Sequence, residues 1–328
     1  MNRPPPHSDD GNELERSLER GLRHQPLSAG ALARMRANLL AEFRQQTPGV
    51  IRRRRRQWVI AVAVTLSALA VGILVINSSY WLRDTAVVQL ESTTGGGVLT
   101  VGDGSGRTRV EAGGVLHPFE RWDTRGAALA RLLVGGTLRL APGTVVQAVD
   151  PRTLALTSGR AYFDFPPGSG SFVLHTSVGT IEHVGTQFEV MQSESGVRVR
   201  VREGSVLLRG DRRVLTINTG AEVLVDREGR IQRSAYPPYG DDWEWVESVA
   251  PSYEIENRPL AEFLTWVGRE TGRHITFVDA RAREVANRTT LHGSVKGMRP
   301  MEALDQVLST TSLRFELQGG EIRIASRS

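Results

Sequence analysis

"GVRVRVREGSVLLRG", residues 196–210, alternates valine with arginine and then passes through a Glu-Gly pair into a second apolar run. A period of two places Val197, Val199 and Val201 on one face of a strand and Arg198, Arg200 and Arg202 on the other. The stretch therefore predicts a sheet with one apolar face and one wet face. The same texture continues on both sides, from Val87 to about Arg233, as short β-rich runs cut by Gly, Pro and Asp. Examples are "TLRLAPGTVVQAV" (137–149), "LALTSGRAYFDF" (154–165), "GSFVLHTSVGTIEHVGTQFEVMQ" (170–192) and "RRVLTINTGAEVLVDREGRIQ" (212–232). The one helix candidate in this region is "ALARLLVG" (128–135), too short for a series of βαβ crossovers. An all-β unit follows, with sandwich, barrel-like and solenoid-like layouts all open.

Beyond this unit "YPPYGDDWEW" (236–245) reads as an extended aromatic hinge, and a linker is expected over 234–251. The periodicity then becomes mixed. "SYEI" (252–255) reads as a strand. "PLAEFLTWVGRETG" (259–272) reads as a helix opened by Pro259 and capped by Gly272, with Leu260, Phe263, Leu264 and Val267 on one face. "HITFV" (274–278) follows as a strand. The order repeats with "TTLHGSV" (289–295) as strand and "RPMEALDQVLSTT" (299–311) as helix, its Met301, Leu304, Val307 and Leu308 inward. A hairpin of "LRFEL" and "EIRIA" across Gln318 to Gly320 ends the chain. Residues 252–328 thus read as two β-α-β halves of a small α+β domain.

Upstream lies "IRRRRRQWVIAVAVTLSALAVGILVINSSYWLR" (51–83). No ionisable side chain occurs from Trp58 to Ile76, a run matched to a hydrocarbon layer of ~30 Å. Residues 57–80 are accordingly expected to be one transmembrane helix, retained rather than cleaved, because the run is longer than a signal peptide's apolar stretch and some fifty residues precede it. Trp58 on one side and Tyr80 and Trp81 on the other suit the two interfaces. Arg52, Arg53, Arg54, Arg55 and Arg56 place the N-terminus inside. Of 41 basic and 36 acidic residues, 1–56 hold 12 and 6, leaving 29 against 30 beyond. The basic balance is local, and direct binding of nucleic acid is not expected of the outer part. With 0 cysteines the chain has neither a disulfide framework nor thiol chemistry.

Residues 1–12 lack apolar periodicity and are expected to be disordered. Leu14, Leu18 and Leu22 then recur every four residues, one stripe of a helix that Pro26 stops. Ser28 is a suitable N-cap for a second helix with Leu32, Met35, Leu39, Leu40 and Phe43 on its apolar side. Two helices of this size bury no core of their own, so the stripes call for a partner, with Leu14, Leu18, Leu22, Leu32, Met35, Leu39 and Phe43 as the contact set. A loosely ordered tail and a helix-turn-helix are the competing readings.

Catalytic chemistry is not legible. The seven histidines, His7, His24, His117, His175, His183, His274 and His292, show no metal-ligand spacing. "VGDGSGR" (101–107) lacks the end of a phosphate loop and fails the nucleophile-elbow pattern around Ser105. Asp241, Asp242 and Glu244 form an acidic cluster in the expected linker without an assignable carboxylate pair. The reading is a protein that is not an enzyme and holds no cofactor or metal.

"SGRAYFDF", "FVLHTSVGTIEHVGTQFEV", "VRVREGSVLL" and "NTGAEVLV", in this order, resemble the FecR family of membrane-bound sigma-factor regulators. The matching residues are Gly159, Ala161 and Phe163; Gly185, Thr186, Phe188 and Val190; Glu203, Gly204 and Val206; and Gly220, within about 107–233. Read as residues, these are architectural: apolar strand positions, glycines for turns or close approach, and a threonine able to satisfy a turn amide. Residues 252–326 resemble the short N-terminal domain of secretins and TonB-dependent transporters, through "YEIENRPLAEFLTWVGRETGRHITFV" and "VKGMRPMEALDQVLSTTSLRFEL".

The expected fold class is mixed and multi-domain: a helical cytoplasmic segment (1–56), one transmembrane helix (57–80), an all-β periplasmic domain (87–233), a linker (234–251) and a small α+β domain (252–328). The resemblance implies a single-span transducer in the bacterial inner membrane that regulates an extracytoplasmic-function sigma factor. It implies a sigma factor as the inner partner and a TonB-dependent transporter's signalling domain as the periplasmic one, in iron-uptake-type signalling. The alternatives are an envelope scaffold with an inert N-terminal tail, and a membrane-tethered DNA-binding regulator whose basic segment binds with strong salt dependence.

Overall fold

Three unusually long strands organise the protein. They are β9 (Thr153–Asp164), β11 (Gly179–Ser193) and β12 (Gly196–Arg209), of 12, 15 and 14 residues, against a usual length of about 5–6. The computed structural model describes residues 86–95, 97–101, 107–210 and 213–327, together with 30, 33, 34, 37 and 38. The chain divides into two units at Ile76/Asn77. In the first, the five described residues are helical and exposed, and Arg34 Nε donates to the Gly30 carbonyl at 3.1 Å.

The shorter strands before the long ones are β1 (Val88–Thr93), β2 (Val98–Val101), β3 (Arg107–Val110), β4 (Val115–Leu116), β5 (Arg121–Thr124), β6 (Ala128–Leu132), β7 (Thr137–Leu140) and β8 (Val145–Asp150). β10 (Val173–Thr176) lies between β9 and β11, and β13 (Val214–Asn218), β14 (Ala221–Asp226) and β15 (Ile231–Ala235) follow β12. All fifteen belong to one branched sheet.

Each long strand changes partners halfway. The first half of β9 pairs with β8 and β10, and its second half with β7 and β11. β12 pairs through its first half with β14 and through its second with β13, while β11 follows it along both. The changes fall at Gly159, Gly185 and Gly204, where φ is +96°, +53° and +80°. Glycine alone takes such angles cheaply, and the register of β11 on β12 shifts at the same place. The bends fold the sheet over a single apolar core.

At its centre Phe163 and Phe188 stack with ring centroids 5.0 Å apart, flanked by Phe165 and Phe172. Val197, Val199 and Val201 line the same core from β12. Replacing Phe188, 1 % exposed, by alanine removes a ring with no room for collapse; urea titration should show a loss of about 3–5 kcal/mol.

The C-terminal part has its own core. It contains α1 (Glu244–Glu247), β16 (Arg258–Pro259), α2 (Leu260–Thr271), β17 (His274–Phe277), α3 (Ala280–Arg288), β18 (Thr290–Leu291), α4 (Pro300–Ser309), β19 (Leu313–Gln318) and β20 (Glu321–Ser326). Pro259 and the left-handed Gly272 bracket α2, and its Leu260, Phe263, Leu264 and Val267 are buried. β17 pairs parallel with β20, which closes the hairpin with β19, while β16 and β18 form a separate two-stranded sheet.

The expected fold class needs correction. Among the described residues strands dominate, and no helix is long and apolar enough to cross a membrane; the span expected at 57–80 lies outside them. "ALARLLVG" is not a helix: Ala128–Leu132 is β6, held between β1 and β7. Four of its five residues are buried, so it carries no alternation, and a short apolar run does not reveal its state by period.

The C-terminal part keeps the expected strand-helix-strand order twice over, β16-α2-β17 and β18-α4-β19, but α3 stands between the two and the first strand is not the one expected. "SYEI" forms no strand, because Tyr253 instead packs its ring on Phe263 and Trp266 and Ile255 is buried without a ladder. α3 had no sequence signal, since it buries only Ala282 and Ala286; its start is fixed by Asp279, whose carboxylate accepts from Ala282 N at 2.7 Å.

Candidate functional site

The arginine face of β12 is not wet. One rung runs in register across six strands, through Arg139, Tyr162, Glu189, Arg200, Glu222 and Ser234 of β7, β9, β11, β12, β14 and β15. Period two dictates this: Phe163, Phe188 and Val199 point to the core, so their neighbours point away. Charge alternates along its middle, from Glu189 through Arg200 to Glu222. Arg160, Arg198 and Arg202 flank it from β9 and β12.

Glu189 is the centre. Its carboxylate is 1 % exposed and meets Arg160 at 2.5 Å, Arg198 at 3.3 Å and Arg200 at 3.8 Å. The fourth partner comes from outside the sheet, since Trp245 Nε1 donates to it at 3.0 Å. A buried carboxylate persists only with such a set of charge-assisted bonds.

The cover is the stretch read as linker. After β15 the chain crosses the rung with its aromatic side chains down. Tyr236 lies beneath the Arg200 guanidinium at 3.6 Å, Trp243 under Arg202 at 4.9 Å and Trp245 under Arg160 at 4.9 Å. Trp243 also meets the Tyr162 ring edge-on at 6.0 Å, and with Val246 these form a small buried cluster of their own. Cation–π contacts of this kind gain strength as water is excluded.

α2 closes the rest. Glu270 Oε2 accepts from Arg139 Nη2 at 2.6 Å, with both side chains at or below 3 % exposure. Arg139 Nη1 donates to the Val246 carbonyl at 2.9 Å. Arg202 uses its whole guanidinium, donating to Pro238 O at 2.7 Å, Glu270 O at 2.9 Å and Glu247 Oε1 at 3.2 Å. Burial raises the Glu247 carboxyl above its usual value, against the pull of Arg202. Arg269 reaches back to Asp164 and, at 3.0 Å, to Glu203. Among the described residues the Tyr162 hydroxyl and Arg139 Nε are buried with no hydrogen-bond partner, and burial pushes the Tyr162 phenol well up. The seam is therefore polar at its heart, unlike the apolar cores on either side.

The family-motif residues lie in the core, at the bends and at the rim of the seam. Phe163, Phe188 and Val190 lie in the core, and Gly159, Gly185 and Gly204 at the bends. Thr186 Oγ1 donates across the bend to the Ser205 carbonyl at 2.8 Å. Glu203 stands at the rim of the seam through Arg269. The expected inner contact set, Leu14, Leu18, Leu22, Leu32, Met35, Leu39 and Phe43, and the topology residues Arg52, Arg53, Arg54, Arg55, Arg56 and Trp58 lie outside the described residues. Of the histidines, His175 and His183 are on β10 and β11 but out of register, His175 facing Thr180; His183 stacks on Phe165 at 3.6 Å. Among the described residues no group of three His, Cys, Asp or Glu side chains could hold a metal.

Sequence reasoning missed Arg139, Tyr162, Glu270 and Trp243 as one site. Its partial signals were the arginine alternation of β12 and the acidic aromatic run after β15.

Residues 122–207, about a quarter of the chain, match the family model described as FecR protein. No curated protein matches the chain. Two solved structures of a candidate anti-sigma factor from Parabacteroides distasonis are similar at 16% and 17% identity, each with a TM-score of 0.34, covering 63% of this chain and 97% of theirs. The matched segment holds all three long strands almost entirely, their glycine bends and the stacked phenylalanines, and it is over these residues, 122–207, that the chain is similar to the FecR family.

Proposed function

We propose that the protein is a non-catalytic regulator of a sigma factor. The observation that carries this reading is the FecR match over 122–207, which covers the middle of the β unit from β5 to nearly the end of β12. In this reading the segment 1–56 holds the sigma factor in the cytoplasm. The units from Val87 onward face the periplasm and receive a signal from the signalling domain of a TonB-dependent transporter, in cell-surface signalling of the iron-uptake type. The polar seam supports the reading in kind: a transducer needs parts that come apart under a modest bias.

The test is purification of the tagged full-length chain from its host with identification of what is retained. A sigma factor should be recovered, and Leu18→Asp and Leu39→Asp should each abolish its recovery. Recovery unchanged in both variants, or no sigma factor with the β unit folded by circular dichroism, sinks the proposal.

A further inference from the structure

The segment 236–249, "YPPYGDDWEWVESV", sits on the arginine face as a peptide sits in a receptor. It forms no ladder with any strand of the sheet. Its own turns are local, Trp243 N to Gly240 O at 3.0 Å and Ser248 N to Glu244 O at 2.8 Å. It is held by guanidinium on aromatic ring, guanidinium on backbone carbonyl, the Arg202–Glu247 ion pair, the Trp245 indole on Glu189 and one backbone bond, Tyr236 N to Gly220 O at 2.8 Å.

The charges are complementary. The segment carries Asp241, Asp242, Glu244 and Glu247 and no basic residue. The face beneath carries Arg139, Arg160, Arg198, Arg200 and Arg202 against Asp164, Glu189 and Glu222. Had the segment only to span two units, neither two tryptophans in register with arginines nor an acid excess would be needed.

We infer that the arginine face is a docking site for an acidic, tryptophan-bearing peptide of a partner protein, and that residues 236–249 occupy it in cis. A tethered ligand works at an effective concentration of order mM, so modest intrinsic affinity keeps the face closed. A partner segment of the same chemistry competes on equal terms once the bias shifts. Displacing the segment frees α2 as well, because Arg139 and Arg202 hold both at once. The site stands on this geometry. Only the statement that its occupant belongs to the signalling partner rests on the sigma-factor reading.

The test adds a fluorescein-labelled peptide of sequence 236–249 to the full-length chain and follows anisotropy. Wild type should bind weakly. A chain carrying Trp243→Ala and Trp245→Ala, whose own segment is loosened, should bind at least about tenfold more tightly, and Arg200→Gln added to it should reverse that gain. Sigma-factor recovery from the wild-type chain is measured separately and does not depend on the outcome.

Hydrogen exchange on the wild-type chain guards against misfolding of the variants. Excess unlabelled peptide should speed exchange of the Trp243 and Ser248 amides of the chain while those of β9, β11 and β12 stay protected. No gain in the doubly substituted chain, a gain indifferent to Arg200→Gln, or unchanged exchange at Trp243 and Ser248 under saturating peptide would overturn the inference.

Discussion

Glu270→Ala is expected to release the C-terminal part from the β unit. The substitution removes the carboxylate paired with Arg139, whose side chain is wholly buried. Arg139 keeps its bond to the Val246 carbonyl, while its Nε is already without a partner among the described residues. A buried charge stripped of its partner costs about 3–5 kcal/mol. The seam can escape that cost by opening, which hydrates Arg139 and leaves both apolar cores intact.

The expected result is thus local and asymmetric. Hydrogen exchange in α2 and in 236–249 should rise by about two to four powers of ten, following from that energy, whereas the amides of β9, β11 and β12 should change little. Global unfolding of both parts together would count against a separable seam. A paired change, Arg139→Met with Glu270→Leu, removes both charges and keeps side-chain bulk; it should be neutral or stabilise by about 1–4 kcal/mol. Such a variant should keep the seam closed, and full-length chain carrying it should bind the labelled peptide no better than wild type.

Why a seam should be built this way follows from its neighbours. Permanent interfaces are apolar at the core and resemble a domain cut in half. Here each side already has its own core, and the surfaces between them are arginine, glutamate and aromatic rings. Opened, such surfaces are solvated and do not aggregate as exposed valine and leucine would.

The apolar half of this fold was legible in sequence, and its polar half was not. Val197, Val199 and Val201 announce the core of β12 by their period, and Leu260, Phe263, Leu264 and Val267 that of α2, because burial of apolar side chains leaves a periodic trace. The glycines at 159, 185 and 204 could be read as turns or close approaches. That they bend strands in mid-course depends on which neighbours pair with each half, which is a property of topology. The arginines at 198, 200 and 202 were read as wet because charge is normally solvated. Their cover arrives from about 40 to 70 residues along the chain, at Tyr236, Trp243, Glu247 and Glu270. Nothing in local period foretells such a contact. α3 escaped for the opposite reason, since a helix burying two alanines has almost no apolar stripe to show.

Gly204→Val should be among the most damaging single substitutions in the β unit. Gly204 has φ +80°, and a Cβ there would lie 2.7 Å from the Gly185 carbonyl oxygen and 3.3 Å from Thr186 Cα. Both are backbone atoms of the opposing bend, so no side chain can swing aside. Strain at a left-handed position costs about 1–3 kcal/mol for a residue with a Cβ, and forcing bulk into a closed contact adds about 1–3 kcal/mol. The sum, about 2–6 kcal/mol, reaches the lower end of the whole stability of an ordinary domain, about 5–15 kcal/mol. Gly185→Ala is the control across the same corner: its φ is +53°, but the nearest atom to an added Cβ, Pro167 Cα, is 3.8 Å away. It should lose only the left-handed term, about 1–2 kcal/mol. Thermal melts should therefore separate two glycines that sequence treats alike, with Gly204→Val failing to give a cooperative β transition and Gly185→Ala melting cooperatively at a lowered midpoint. Equal effects at the two positions would mean that the corner relaxes freely, and that the bends of β11 and β12 do not lock the sheet over its core.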